Sequence, residues 1–351
     1  MNAGIIKKSL SIGSDQVEYI CGNGAIDEEN YEGIFIVSDV IMKLYPDKIG
    51  KLPEEKTILV GDGEQSKLID NYEKVCRMLI ERNVERGSYI TYIGGGTVGD
   101  LVGFIASTYK RGMRLRAVPT TLLSQIDSSI GGKNGINFSG VKNAIGTFKN
   151  PERIIADTGF LMKNGQVLKD GMAEMIKHGF SLDYTIIETL KENNIETIRN
   201  GNTLRDLILR NAEAKASVCN EDPFELGGKR YVLNFGHTVA HGVEAASRNW
   251  ISHGPAVIYG MIFEMKIAEL YGIAKYDGRK DMEEIMMKYG IEMPDVNETM
   301  LSESLQYIMN DKKIRGGAIG LPMAAEPGKV TVINMKLDVF RDLFLKAGRM
   351  M

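Results

Sequence analysis

Four short apolar runs constrain the fold of this chain more than any other feature. Ile34–Val37 stops at Ser38 and Asp39, and Thr57–Val60 stops at Gly61-Asp62-Gly63. Ser88–Ile93 runs straight into Gly94-Gly95-Gly96, and Leu115–Val118 is closed by Pro119. Continuous apolar runs without alternation are what strands buried on both faces look like. Over 64–83 the residues Leu68, Ile69, Tyr72, Val75, Cys76, Leu79 and Ile80 recur at helical spacing, which puts Cys76 on an apolar face. This rhythm of strand, loop and helix predicts a largely parallel sheet covered by helices. Ligands in such sheets sit beyond the carboxyl ends of the strands. Asp39, Asp62, Gly94 and Thr120 all fall at those ends.

After Gly165 the pattern changes. Residues 166–181, 184–193, 203–219, 237–248, 255–271, 280–289 and 300–309 read as helices, with a short hairpin over 317–321 and 329–333. The expected organisation is an α/β domain over 1–164, mostly parallel and Rossmann-like, followed by a helical domain over 165–351. A length of 351 residues favours two domains. A net charge of -3 argues against a general binder of nucleic acid or membrane. Cys21, Cys76 and Cys219 are widely spaced and form no CxxC pair, so neither a disulfide framework nor a thiolate zinc site is expected. The N-terminal MNAGIIKKSLSIG lacks the apolar stretch of a signal peptide, which predicts a cytoplasmic protein.

Within this frame, residues 94–146 gather a triple glycine, a Thr pair, a Gly-Gly-Lys turn and a Lys beside an Asn. Close-approaching backbone, hydroxyls and ammonium groups are what a protein offers to phosphate. Gly94-x-Gly96-x-x-Gly99 fits a dinucleotide fingerprint, yet it follows the third strand of the domain, and a tight strand-to-helix turn gives the same pattern. Asp39 could accept ribose hydroxyls. Asp62 and Glu64, with Lys67 nearby, serve equally as helix-start acids or as ribose and adenine contacts. Thr120-Thr121 reads as a cap or as a ligand contact. Asp127-Ser-Ser-Ile-Gly-Gly-Lys133 and Lys142-Asn143 are harder to dismiss, because glycine admits a ligand and lysine supplies a point charge.

The chain has four histidines, His178, His237, His241 and His253. His237 and His241 stand one helical turn apart and make a candidate ligand pair by spacing, with no third ligand defined. Glu174, with Lys177 one turn on, and His253 at a helix start extend the set of possible donors to a catalytic divalent metal.

Taken together, Gly94–Asp100, PTTLLSQIDSSIGGKNGIN, Lys142-Asn143, GMAEMIKHG at 171–179 and LNFGHTVAHGVEA at 233–245 resemble the 3-dehydroquinate synthase family. The resemblance runs from Asp39 to Asp311-Lys312-Lys313. It implies an N-terminal NAD-binding α/β domain and a C-terminal helical, metal-binding domain. It places Zn2+ (or Co2+) on Glu174, His237 and His253, and makes His241 a catalytic and phosphate-binding residue. Lys133, Lys177 and Asn234 match catalytic positions. Lys142, Asn143, Lys215, Arg230 and Lys312 match substrate positions, with Lys215 and Arg230 suited to a carboxylate. Arg111 matches an arginine that reaches the neighbouring subunit's phosphate site, which implies a homodimer. The NAD side comprises Asp39, Asp62, Glu64, Lys67, Gly95, Gly96, Thr97, Val98, Gly99, Asp100, Thr120, Thr121 and Asp127, with Lys133 and Lys142 also in reach.

The implied reaction is the second step of the shikimate pathway. 3-Deoxy-D-arabino-heptulosonate 7-phosphate is transiently oxidised by NAD, loses phosphate, is reduced again and closes by an aldol step to 3-dehydroquinate. Three positions depart from the usual pattern. Pro255 replaces a common Glu, the 222–230 loop is one residue longer, and His178 stands where Tyr is frequent. The competing readings are a metal-dependent glycerol or glycerol-phosphate dehydrogenase, a related cyclase acting on another sugar, and a non-catalytic binding protein.

Overall fold

The computed structural model describes residues 4–30, 32–163, 165–199, 202–248, 250–310 and 316–351, without the side chains of 165–167 and 169. The chain forms two compact units. One comprises residues 1–168 with 204–226, and the other 169–203 with 227–351.

In the first unit the strands are β1 (Ile6–Ile12), β2 (Asp15–Gly22), β3 (Ile34–Ser38), β4 (Thr57–Val60), β5 (Tyr89–Gly94), β6 (Arg114–Pro119), β7 (Lys133–Phe138), β8 (Val141–Phe148) and β9 (Arg153–Asp157). Seven of them build one sheet in the order β1-β2-β9-β6-β5-β3-β4. Only the β1–β2 pair is antiparallel. The four expected strands are all present, next to one another. β7 and β8 form a separate antiparallel hairpin. From β3 the chain passes to one side to form β4, then to the other side to form β5 and β6. The switch point therefore lies between β3 and β5, where Asp39 and the triple glycine emerge.

Phe35, Val37, Ile93, Val118 and Ile155 from the strands meet Ile41, Tyr45, Ile49 and Phe160 in one buried cluster. The helical pattern over 64–83 divides in two. Glu64–Lys67 is a 3-10 turn, Leu68 is extended, and the α-helix runs Ile69–Glu81. Leu68 breaks the run because its backbone bridges to Asn137 of β7. Cys76 is half-buried rather than fully in the core.

The helix Thr203–Glu221 belongs with this first unit, whereas a division at 164/165 groups it with the helices that follow. It buries Leu204, Leu207, Ile208, Ala212, Ala216 and Cys219. Its Asn220 side chain accepts from the Gly13 amide of the β1–β2 turn at 3.0 Å. Periodicity reveals an apolar face but not which core that face will meet.

Among the described residues the second unit is helical apart from one hairpin, β10 (Ala318–Glu326) and β11 (Lys329–Lys336), longer than the expected segments. Its central helix, His253–Tyr271, is apolar on nearly all sides and buried from Ala256 to Ala268. The Phe263 ring packs tilted against Phe344 at 4.6 Å, and Phe344 likewise against Phe340 at 5.8 Å. Both partners come from the helix Leu337–Gly348, which the sequence reading did not anticipate. Among the described residues no helix is long and apolar enough to cross a membrane.

Candidate functional site

In the first unit the triple glycine exists for close approach. None of Gly94, Gly95 and Gly96 has positive φ. A Cβ on Gly94 would meet Val98 at 2.8 Å, one on Gly96 would meet Ser128 Oγ at 2.8 Å, and one on Gly99 would meet the Tyr92 ring at 3.0 Å. The helix Gly96–Thr108, which holds Thr97 and buried Val98, starts from Gly95 with no side-chain cap and no acid in its first turn. Its leading amides are left to an anionic group.

Around this turn the expected residues form a connected set. Asp62 accepts from Ser38 Oγ at 2.8 Å and from Thr97 Oγ1 at 3.2 Å, tying the ends of β3 and β4 to the glycine helix. Asp39 sits at the helix start after β3 and pairs loosely with Lys43 at 3.4 Å. Lys67, almost fully buried, bonds Asp100 at 2.7 Å and also the Asn143 side chain. The Asn143 amide donates to Asn137 Oδ1 at 2.9 Å, and Asn137 Nδ2 donates to Glu64 at 2.8 Å. This holds Asn143 at φ 51, a left-handed conformation. Burial pushes the Asp100 carboxyl up, and Lys67 offsets only part of that. Asn137 was not singled out from sequence; its one signal was an amide amid the apolar residues of β7.

The Thr pair separates. Thr121 Oγ1 accepts from the Ser124 amide at 3.0 Å, where a short π-helix, Ser124–Ser128, begins. The buried Oγ atoms of Thr120, Ser128 and Ser129 have no protein partner among the described residues, as expected where a ligand completes the bonding. Gly131 and Gly132 turn at φ 99 and 73 into Lys133, whose half-exposed ammonium pairs with Glu225. Lys142 lies exposed on β8. Lys215 bonds the Asp127 carboxylate at 2.8 Å and its carbonyl at 2.5 Å, joining a residue expected on the substrate side to one expected on the NAD side. Arg111 is exposed within three consecutive positive-φ residues, Lys110, Arg111 and Gly112. Lys110 is tied to the Val84 carbonyl at 2.8 Å.

In the second unit, ligand atoms of Glu174, His237 and His253 lie within 4.8 Å of one another. Glu174 comes from the helix Gly165–Ser181, His237 opens the helix His237–Ala246, and His253 opens His253–Tyr271. Both Nε2 atoms face the same Glu174 oxygen, at 3.3 and 3.2 Å. The Nδ1 ends are held too, His237 against the Phe235 carbonyl at 3.2 Å and His253 against Glu244 at 3.1 Å. A carbonyl only accepts, so His237 carries a proton on Nδ1, and its Nε2 beside Glu174 is the nitrogen left to turn a lone pair on a cation bound between them.

Burial works against charge on Glu174, but Lys177 and both imidazoles outweigh it and hold the carboxyl well below its usual range. Burial likewise lowers His253, yet its bonds to Glu174 and Glu244 raise it to about 10. Glu244 supplies a carboxylate behind His253 that sequence reading missed, while Pro255 sits without strain in the first helical turn. His241 meets His237 edge-on at 5.4 Å and lies outside the converging donors, so the pair chosen by spacing is not the set that forms. Arg230 is buried and Asn234 half-buried on the 3-10 helix leading to His237. Lys312 lies outside the described residues.

Comparison with known proteins gives one family. Residues 57–168 match the family model described as 3-dehydroquinate synthase N-terminal, and 171–314 the one described as 3-dehydroquinate synthase C-terminal. A 3-dehydroquinate synthase of Thermoplasma volcanium is 41% identical over 93% of this chain and 92% of its own. The fold is similar to 2-deoxy-scyllo-inosose synthase complexed with carbaglucose-6-phosphate, NAD+ and Co2+ (TM-score 0.83, 22% identity, 97% of this chain and 100% of that one). It is equally similar to 2-epi-5-epi-valiolone synthase from Streptomyces hygroscopicus with NAD+ and Zn2+ bound (TM-score 0.83, 20% identity, 98% and 99%).

Proposed function

The chain belongs to the 3-dehydroquinate synthase family, and on that premise we propose that it converts 3-deoxy-D-arabino-heptulosonate 7-phosphate to 3-dehydroquinate and phosphate. The observation that carries this reading is the convergence of Glu174, His237 and His253, in a chain whose other unit ends its parallel strands in an uncapped glycine-rich helix start. Zn2+ or Co2+ on those three side chains would acidify a substrate hydroxyl as a Lewis acid, and NAD+ on the glycine turn would take up and return a hydride.

The protein's own groups do the rest by positioning and charge. Lys133, Lys142 and Asn143 bind the substrate phosphate, and the two ammonium groups neutralise it as the C–O bond to it breaks. Lys177 holds Glu174 ionised and, with Asn234, orients the reacting hydroxyls. His241 adds a hydrogen bond to the phosphate. Arg230 serves the carboxylate. Lys215 serves it also, in exchange for its bond to Asp127. Asp39, Asp62, Glu64, Lys67, Asp100, Thr120 and Thr121 hold the cofactor. Arg111, exposed, reaches a second copy of the chain across a homodimer.

The test is phosphate release from the heptulosonate phosphate with NAD+ present at one-tenth of the substrate. Many turnovers per NAD+, no lasting NADH absorbance and loss of activity with chelator are expected. NADH accumulating in step with product would instead indicate a dehydrogenase.

A further inference from the structure

The helix that opens with His237 has no side chain of its own to cap it. Its N-cap is Gly236, at φ 80. The leading amides of a buried helix need partners. They find one carboxylate, Glu264, which is fully buried. Its Oε2 accepts from the Gly236 amide at 2.7 Å, and its Oε1 from Thr238 at 3.2 Å and Val239 at 3.4 Å. Glu264 belongs to the helix His253–Tyr271, whose first residue is the other imidazole donor. At the crossing, a Cβ on Gly260 would lie 2.0 Å from the Gly236 carbonyl oxygen, and one on Gly236 would strike Met261 at 2.6 Å. The two helices are thus locked by backbone contact and by one carboxyl side chain bridging them. A buried carboxylate is costly unless its bonds are made. At this position it meets the positive end of the helix dipole as well as three amides.

We propose that Glu264 is a positioning residue for the metal site, fixing the start of the His237 helix so that His237 Nε2 faces Glu174 alongside His253. This rests on the metal-dependent reading above. A neutral side chain leaves the amides of Gly236, Thr238 and Val239 competing for a weaker acceptor, and the His237 ring loses its fixed height on the helix.

The experiment is titration of the metal-free protein with Zn2+ and Co2+ against a competing chelator, with thermal midpoints recorded in parallel. Glu264→Gln should weaken Zn2+ roughly 10- to 100-fold, as loss of groups that orient metal ligands does. Glu264→Asp keeps the charge but falls one methylene short, and should lose less, with Zn2+ affinity between wild type and Glu264→Gln. Phe340→Leu, in the same unit but on neither of the two crossing helices, controls for a general loss of stability and should keep wild-type affinity at a lowered midpoint. Wild-type Zn2+ affinity in both Glu264 variants overturns the proposal, as does equal weakening in Phe340→Leu. If the wild type and His237→Ala bind Zn2+ equally poorly, the metal reading itself is wrong and the proposal falls with it.

Discussion

Each unit contains a carboxylate beside a lysine, half-buried Asp100 with Lys67 and buried Glu174 with Lys177, and the two pairs behave in opposite ways. Burial leaves the Asp100 carboxyl raised, because one ammonium does not offset the loss of water. Glu174 is more deeply buried, yet it is held well below its usual range, because two imidazoles act with its lysine. The first unit surrounds its pair with amides such as Asn137 and Asn143 and keeps cations such as Lys133 and Lys142 exposed. That is a surface ready to receive a large anionic ligand. The second unit concentrates donors on one point, in a cage prepared for a cation.

The sharpest way to break this contrast is Glu174→Gln. It should cut kcat/KM on the order of a thousandfold, while NAD+ affinity, measured by calorimetry, changes less than about twofold. Equal loss of both would mean that the two units do not divide the work. Next come Lys133→Ala and Lys142→Ala. Each should reduce kcat/KM roughly 10- to 100-fold through a lost charge-assisted bond worth about 1.5–3 kcal/mol. Both are exposed, so the thermal midpoint should not move; unchanged kinetics would remove either from the phosphate site.

Acid titration probes the opposite shifts directly. Asp100 has a raised folded pKa, so its linked stability is full below its unfolded value and is lost as pH rises through the folded one. Glu174 has a depressed folded pKa, so its contribution is present above its unfolded value and is lost as pH falls through the folded one. In metal-free protein, between about pH 3 and 6, stability relative to wild type should rise with pH for Asp100→Asn and fall for Glu174→Gln. Slopes of one sign in thermal melts would refute the distinction. The smallest expected effect is that of Glu244→Gln, roughly tenfold in Zn2+ affinity by chelator competition, since His253 keeps its ring in place through Glu174.

The parts of the fold legible in the sequence share a cause. β3, β4 and β5 are short apolar runs followed by acid or glycine, and β6, despite Arg114 and Arg116, closes at Pro119, so a local pattern marks each one. β1, with exposed Lys7, Lys8 and Ser9 in succession, and the short β9 carry too little apolar signal to be read alone. The glycine turn was legible because only a residue without a side chain fits against Val98 and Ser128. The donor triad was legible only through resemblance. Spacing favoured His241, which shares a helix with His237, while the converging partners come from two other helices. Asn137, Glu244 and Glu264 escaped notice because an isolated amide or acid in an apolar segment does not announce what it will meet.

By itself, then, the sequence determined what depends on neighbours along the chain. It specified which segments are strands or helices, where backbone must approach closely, and which side chains can carry charge or bind a metal. Tertiary structure alone decided which of those groups meet. It returned 204–226 to the first unit, ran Lys67 to Asn143, set Glu244 behind His253 and brought Glu264 to the head of the His237 helix. The reason is physical. Local propensity arises from steric and hydrogen-bonding terms within a few residues, whereas a buried carboxylate finds its partners only when separate helices are packed and water is gone.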